Sequence, residues 1–270
     1  MKIIITGQPK SGKSTLLGSL ISNEKEKYGF LTKEIIQGGH RIGFRVHESS
    51  GRTMVLAQTK MQSRYRVGKY FVDVDGFDEY INSVESIEFD GLYYVDEIGQ
   101  MQLYSDKFVS LVDKYIRSSN DFIGTMTSIF NDGFTNKISK SDNILFFNIS
   151  ESTKSDVQES VSFALKNRNE FNRLPAHVQE KVTTMANEYL ISGYFDSFNK
   201  LFNNAIYYFN DEKINKIDKN VFIVKGRHKS HKVRRTKNKW MCDCPLYFGN
   251  SPFKEKSECS HIQSAILFDL

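Results

Sequence analysis

The chain has 270 residues, 39% of them hydrophobic and 26% charged, which suits one sizeable α/β domain with a small appendage. No run of eighteen apolar residues is present, so a membrane-spanning helix is excluded. The formal net charge of +5 is uneven: residues 211–270 carry thirteen Lys or Arg against seven Asp or Glu, which points to a polyanion partner or a solvated basic surface.

Residues 2–6 read as a short buried strand, too short for a signal h-region, so the expected compartment is the cytoplasm. A helix is predicted from Lys13 to Glu26. Two strand-like runs, Tyr28 to Ile36 and Arg41 to Val46, flank Gly38-Gly39 and predict a hairpin, which Thr53 to Ala57 extends. A strand at Lys69–Val74 and a helix at Phe77–Val84 follow. Gly91 to Val95 is an apolar strand ending in Asp96-Glu97. Helical spacing covers Ser105 to Ile116, and strands are expected at Phe122–Met126 and Ile144–Phe147. Residues 131–141 read as a polar, mobile segment. A helix from Ser155 to Arg168 closes this part. Strands alternating with helices imply a mostly parallel sheet carrying an antiparallel β ribbon. The expected division is a first domain at 1–168, a helical linker at 169–215 and a small β/α module at 216–270. In the linker, residues 175–191 and 194–210 form two helices split by Gly193, the second with an aromatic stripe that reads as core.

Gly7, Gln8, Pro9, Lys10, Ser11, Gly12, Lys13 and Ser14, followed by Thr15, fit G-x-x-x-x-G-K-[ST] at every position. Glycines let backbone N–H groups wrap phosphates, and the helix that opens here points its positive end at them. Lys13 is expected on the β- and γ-phosphates and Ser14 on Mg²⁺. Asp96, at a strand end, is assigned to Mg²⁺, and Glu97 to the attacking water as general base. Thr125 and Thr127 are candidate sensors of the γ-phosphate. Arg41, Arg45, Arg52, Arg64 and Arg66 are candidates for balancing transition-state charge, and the sequence does not choose among them.

These residues resemble a known family, the thermophilic nucleoside-triphosphatases and their cancer-related human relatives. The blocks that carry the resemblance are Gly7–Leu16, Gly29–Glu34 with Arg41–Phe44, Val67–Asp73 and Val95–Leu103, in that order over residues 1–150. The resemblance implies a P-loop domain of the additional-strand, catalytic-glutamate type and slow hydrolysis of several nucleoside triphosphates, ATP and GTP included. It also supports Glu97 as the water-activating residue. Gln102 stands where the family usually has Glu, and Ile36 where it usually has Arg.

All three cysteines lie in the last thirty residues, an odd number clustered beside a histidine, which argues for metal rather than disulfides. Cys242, Cys244, Cys259 and His261 make a closed set suited to structural Zn²⁺. The C-x-C and C-x-H pattern resembles the SWIM zinc-binding module, which implies nucleic-acid or protein binding. Just upstream, residues 225–239 hold eight Lys or Arg and no acid. Arg227, Lys229, Lys232, Arg234, Arg235, Lys237 and Lys239 are the candidate contacts to DNA or RNA.

The expected function is therefore a magnesium-dependent nucleoside-triphosphatase with a zinc-binding basic tail. A nucleoside, nucleotide or polynucleotide 5′-kinase is one alternative, weakened because residues 131–141 contain no Arg for a lid. A nucleotide-gated adaptor that recruits a protein partner is the other.

Overall fold

The computed structural model describes residues 1–128, 132–210, 212–237, 239–245 and 259–269, and divides the chain into two units, Met1–Gln158 and Glu159–Leu270. Asn131 of the expected polar segment and Asn238 of the basic run lie outside the described residues.

In the first unit the apolar run β1 (Lys2–Gly7) sits between β8 (Asp121–Thr127) and β9 (Leu145–Asn148), parallel to both. Strand β7 (Leu92–Ile98) pairs parallel with β8 and with β2 (Lys27–Gln37). From β2 the sheet turns antiparallel through β3 (His40–Glu48), β4 (Thr53–Gln58), β6 (Tyr70–Val72) and β5 (Arg66–Val67). The nine strands lie in the order β5-β6-β4-β3-β2-β7-β8-β1-β9. Parallel strands buried on both faces need near-continuous apolar sequence, and Ile3, Ile4 and Ile5 are fully buried.

Helix α1 (Lys13–Ser22) follows β1 and is shorter than expected. Its end is tied off by Lys27, whose Nζ donates to Ile21 O at 2.6 Å and Glu24 O at 2.9 Å. Helices α2 (Val74–Glu85) and α3 (Asp106–Arg117) bury Phe77, Ile81, Phe108 and Leu111 against Phe30 and Val46. Asp73 and Ser105 cap them by accepting from Gly76 N and Phe108 N. Residues 133–139, expected to be part of a polar loop, form α4 (Gly133–Ser139). A capping box between Asp132 and Thr135 starts this helix and buried Ile138 anchors it.

Helix α5 (Lys154–Lys166) leads from the first unit into the second. There α6 (Arg168–Asn172), α7 (Ala176–Ile191) and α8 (Phe195–Phe209) precede a four-stranded antiparallel sheet. Its strands are β10 (Ile214–Asp218), β11 (Val221–Lys225), β12 (Ser230–Arg235) and β13 (Trp240–Cys242), and α9 (Ser260–Phe268) follows. Tyr208 of α8 shares one apolar cluster with Phe222, Val233, Cys242 and Ile262. The expected linker and module are thus packed together within one unit.

Candidate functional site

The turn after β1 bends through Lys10 (φ 67°) and Gly12 (φ 94°), both in the left-handed region. Gly12 then opens α1, with Leu16 N donating to its carbonyl at 2.9 Å. Gly7 has no room for a side chain, because a Cβ there would lie 2.6 Å from Ile149 O. Lys13 is buried and folds back along the loop, its Nζ donating to Gly7 O at 3.1 Å and Gln8 O at 3.0 Å. The predicted residues Gly7 to Thr15 therefore form one loop and helix start at the C-terminal edge of β1.

Strand β7 brings Asp96 and Glu97 to the same edge. Ser14 Oγ donates to Asp96 Oδ1 at 2.9 Å, and Thr125 Oγ1 donates to the same atom at 2.5 Å. Burial pushes the Asp96 carboxyl above its ordinary range, and these two donors work against that rise. Glu97 Oε1 lies 3.6 Å from Lys13 Nζ. Burial also raises Glu97, the Lys13 ammonium pulls it down, and neighbouring Asp96 pushes it up again. Two carboxylates, a hydroxyl and an ammonium thus meet at the phosphate loop.

The hydroxyls of Ser11 and Thr127 are buried there without a partner among the described residues, and Thr127 sits beside Gly7 in the β1–β8 register. Orphaned donors beside a phosphate loop suit an incoming anion. Thr125, by contrast, is committed to Asp96. Ser14 and Asp96 offer the hard oxygen donors that Mg²⁺ takes.

Two further residues steady the acid pair. Thr32 Oγ1 donates to Asp96 O, and Gln102 Nε2 donates back to Thr32 Oγ1 at 3.3 Å. Thr32 lies inside a block that signalled only family resemblance. An ionised Glu in place of Gln102 could not donate this bond.

Of the five candidate arginines, four have partners. Arg41 pairs with Glu34 and donates to Tyr70 Oη at 2.9 Å. Arg52 pairs with Glu48 at 2.6 Å. Arg64 covers the Tyr65 ring at 4.8 Å, and Arg66 donates to Gly68 O at 2.6 Å. Arg45 is exposed and forms no side-chain hydrogen bond, ion pair or ring contact among the described residues. In the expected lid region Lys137 is held by Asp113 at 2.8 Å.

In the second unit Cys242, Cys244, Cys259 and His261 are all buried, with ligand atoms within 4.8 Å of one another. Cys242 Sγ lies 3.8 Å from His261 Nδ1. Three thiols and one imidazole converging at this spacing fit a tetrahedral thiolate–imidazole site. Cys259 accepts a hydrogen bond from Cys242, which holds Cys259 low and, with burial, drives Cys242 up.

Around the cluster, His231 Nδ1 meets Asp243 Oδ1 at 3.0 Å, and the His231 ring lies 4.2 Å from that of His261. Gly226 makes room for both rings, since a Cβ there would sit 3.0 Å from His261 Nε2. His231 and Gly226 sat unremarked inside the basic run of the sequence.

That run divides in three. Lys232 and Arg234 point outward on β12, on the face opposite buried His231 and Val233. Arg227, Lys229, Lys237 and Lys239 occupy the exposed turns flanking β12. Arg235 is engaged, its Nη1 donating to Asp269 Oδ2 at 2.5 Å beside Trp240.

Residues 2–162 match the model of a family described as NTPase. The nucleoside-triphosphatase THEP1 of Thermotoga petrophila is 37% identical over 175 residues, covering 64% of this chain and 97% of that protein. The THEP1 of Thermotoga maritima is also 37% identical, covering 64% and 98%. Among solved structures, THEP1 from Aquifex aeolicus superimposes with a TM-score of 0.52 at 27% identity, over 60% of this chain and 96% of that one. A human cancer-related nucleoside triphosphatase, at 24% identity and a TM-score of 0.54, shares the fold over 62% of this chain and 97% of its own.

Proposed function

The chain belongs to the NTPase family, and on that premise we propose that Lys13, Ser14, Asp96 and Glu97 make it a magnesium-dependent nucleoside-triphosphatase. One observation carries the reading: Ser14 Oγ and Asp96 Oδ1 meet at 2.9 Å while Glu97 reaches toward Lys13 at 3.6 Å. The loop amides of residues 7–15 and Lys13 cradle the phosphates. Ser14 and Asp96 hold Mg²⁺, which when bound neutralises charge on the β- and γ-oxygens. Glu97 orients the attacking water and takes its proton. Thr125 keeps Asp96 aimed, and Thr127 offers its free hydroxyl to the γ-phosphate. The hydrolysis thus proceeds by positioning and charge stabilisation, without a covalent enzyme intermediate.

In the second unit Cys242, Cys244, Cys259 and His261 hold a structural Zn²⁺, and the SWIM-like arrangement presents Lys232, Arg234 and the turn lysines to nucleic acid. The supporting observation is the outward pair on β12, Lys232 and Arg234, whose side chains make no hydrogen bond, ion pair or ring contact among the described residues. The test is phosphate release from ATP and GTP, with and without Mg²⁺ and with single-stranded or duplex DNA and RNA. Release that requires Mg²⁺, vanishes in Lys13→Ala and rises with nucleic acid supports both parts. Release indifferent to every nucleic acid, with no binding of any, removes the tail's proposed partner. No release from the wild type removes the hydrolase.

A further inference from the structure

The ribbon carries a feature that neither the phosphate loop nor the tail explains. Lys33 on β2 stands directly opposite Arg45 on β3 in the antiparallel register. Like charges facing each other across a strand pair are destabilising. Both side chains are exposed, and neither makes a hydrogen bond, ion pair or ring contact among the described residues. Two register positions along the hairpin, His47 opposite Leu31 is held below its ordinary value by burial and by the field of Lys33 and Arg45.

The placement of this pair is specific. Alternate side chains of a strand share a face, so Leu31, Lys33, Arg45 and His47 lie on one side of the sheet. That side is the α1 side, because a Cβ on Gly18 would lie 3.9 Å from Leu31 Cδ1. Ser14 is one helical turn before Gly18, about 6 Å toward the phosphate edge. Lys33 is two strand residues beyond Leu31, about 6.6 Å in the same direction. The two advances match, so Lys33 stands level with Ser14. The preceding residue, Thr32, is bonded to Asp96 O, which ties this end of β2 to the acid pair.

We propose that Lys33 and Arg45 form a second phosphate-binding subsite, beside the γ-phosphate end of the nucleotide site. The inference rests on the nucleotide reading above. The nucleotide's own phosphates are served by the loop amides and Lys13, so this cation pair addresses a further phosphate group. Two sources share that chemistry: the inorganic phosphate released by hydrolysis, and the phosphate monoester of a phosphorylated second substrate. A phosphate dianion between the two cations would relieve their repulsion and make charge-assisted hydrogen bonds to both.

The experiment is calorimetric titration of inorganic phosphate, and separately of glycerol 3-phosphate, into the full chain saturated with magnesium ADP. Wild type, Lys33→Met/Arg45→Met and Lys33→Arg are compared. The wild type should bind phosphate, the double variant about tenfold more weakly or not at all, and Lys33→Arg should retain the affinity. Phosphate binding without glycerol phosphate binding identifies the hydrolysis product as the source. Binding of both identifies a phosphorylated second substrate. Equal affinity in wild type and double variant, or no binding by a wild type that holds magnesium ADP, overturns the subsite. A wild type that does not bind magnesium ADP strikes the nucleotide reading instead, and the same titration on nucleotide-free protein then decides the Lys33–Arg45 site alone.

Discussion

The phosphate loop and the Cys–His cluster are built on opposite plans. The loop is made by backbone, and most side chains around it are already engaged, Lys13 on carbonyls, Ser14 and Thr125 on Asp96, Thr32 on the acid's own carbonyl, while the Ser11 and Thr127 hydroxyls are left for an incoming group. It stands at the edge of a large sheet whose core needs no ligand. The cluster is made of four side chains from β13, α9 and the chain beside them, in a unit whose small sheet buries few large residues. Three buried thiols gain little from one another. A metal should therefore be optional for the order of the first unit and required for that of the second.

The largest test of that contrast is removal of the metal proposed for the cluster. Structural Zn²⁺ contributes on the order of 10 kcal/mol to small modules of this kind. Cys259→Ser, or a zinc-selective chelator, should abolish bound zinc and unfold the region around β13. Trp240 is the only tryptophan and packs 5.5 Å from Phe222, so its fluorescence reports on this unit alone. The expected result is a red-shifted Trp240 emission with phosphate release within about twofold of wild type. Loss of both together would show that the two plans are not separable.

Backbone precision in the first unit predicts the next effect. Gly29 lies where β2 meets β7, and a Cβ there would come 1.8 Å from Tyr94 O. Gly29→Ala should cost about 3 kcal/mol in urea unfolding by forcing the strands apart. A loss below half that would mean the ribbon moves freely relative to the acid pair.

Glu48 sharpens the picture of the same ribbon. Its burial would raise it, but Tyr28, Arg52 and Ser50 donate to it at 2.8, 2.8 and 2.9 Å and hold it below the ordinary carboxylate range. A depressed carboxylate contributes stability that is full above its unfolded value and is lost as pH falls through its folded one. Glu48→Gln should cost about 1–3 kcal/mol at neutral pH and flatten the acid side of the stability profile. An unchanged profile in urea titrations at several pH values would remove Glu48 from the account.

The smallest effects divide the basic run. Arg235→Gln breaks a half-exposed pair with Asp269 and should cost at most about 1 kcal/mol of second-unit stability. Arg234→Gln should leave stability unchanged and lower the salt dependence of polyanion binding by about one charge. Salt-titrated filter binding and thermal melts separate the two. Equivalent behaviour of the neighbours would mean that β12 does not sort its cations by face.

What the sequence disclosed follows the same division. The turn at Gly7 to Thr15 was legible because the motif fixes its two glycines, its lysine and its serine, and a strand leads into it while a helix leads out. Asp96 and Glu97 were legible because an apolar strand ended in acids. The Cys and His set was legible because few other chemistries use that pattern. Thr32 was not, since a threonine in a strand announces nothing until its partner is known. Helix α4 was missed because Asp132 and Thr135 form a capping box without the usual Glu or Gln, and only Phe134 and Ile138 make up its short apolar face. The meeting of Lys33 and Arg45 depends on the hairpin register, and a shift of one residue would send every side chain to the opposite face.

The most direct test of the central claim is single-turnover phosphate release by Glu97→Gln alongside nucleotide binding. The variant should bind magnesium ATP and GTP as the wild type does, while release slows about 10²–10⁴-fold. Release at the wild-type rate would contradict that claim, because Glu97 would then not handle the water and the site would need another base.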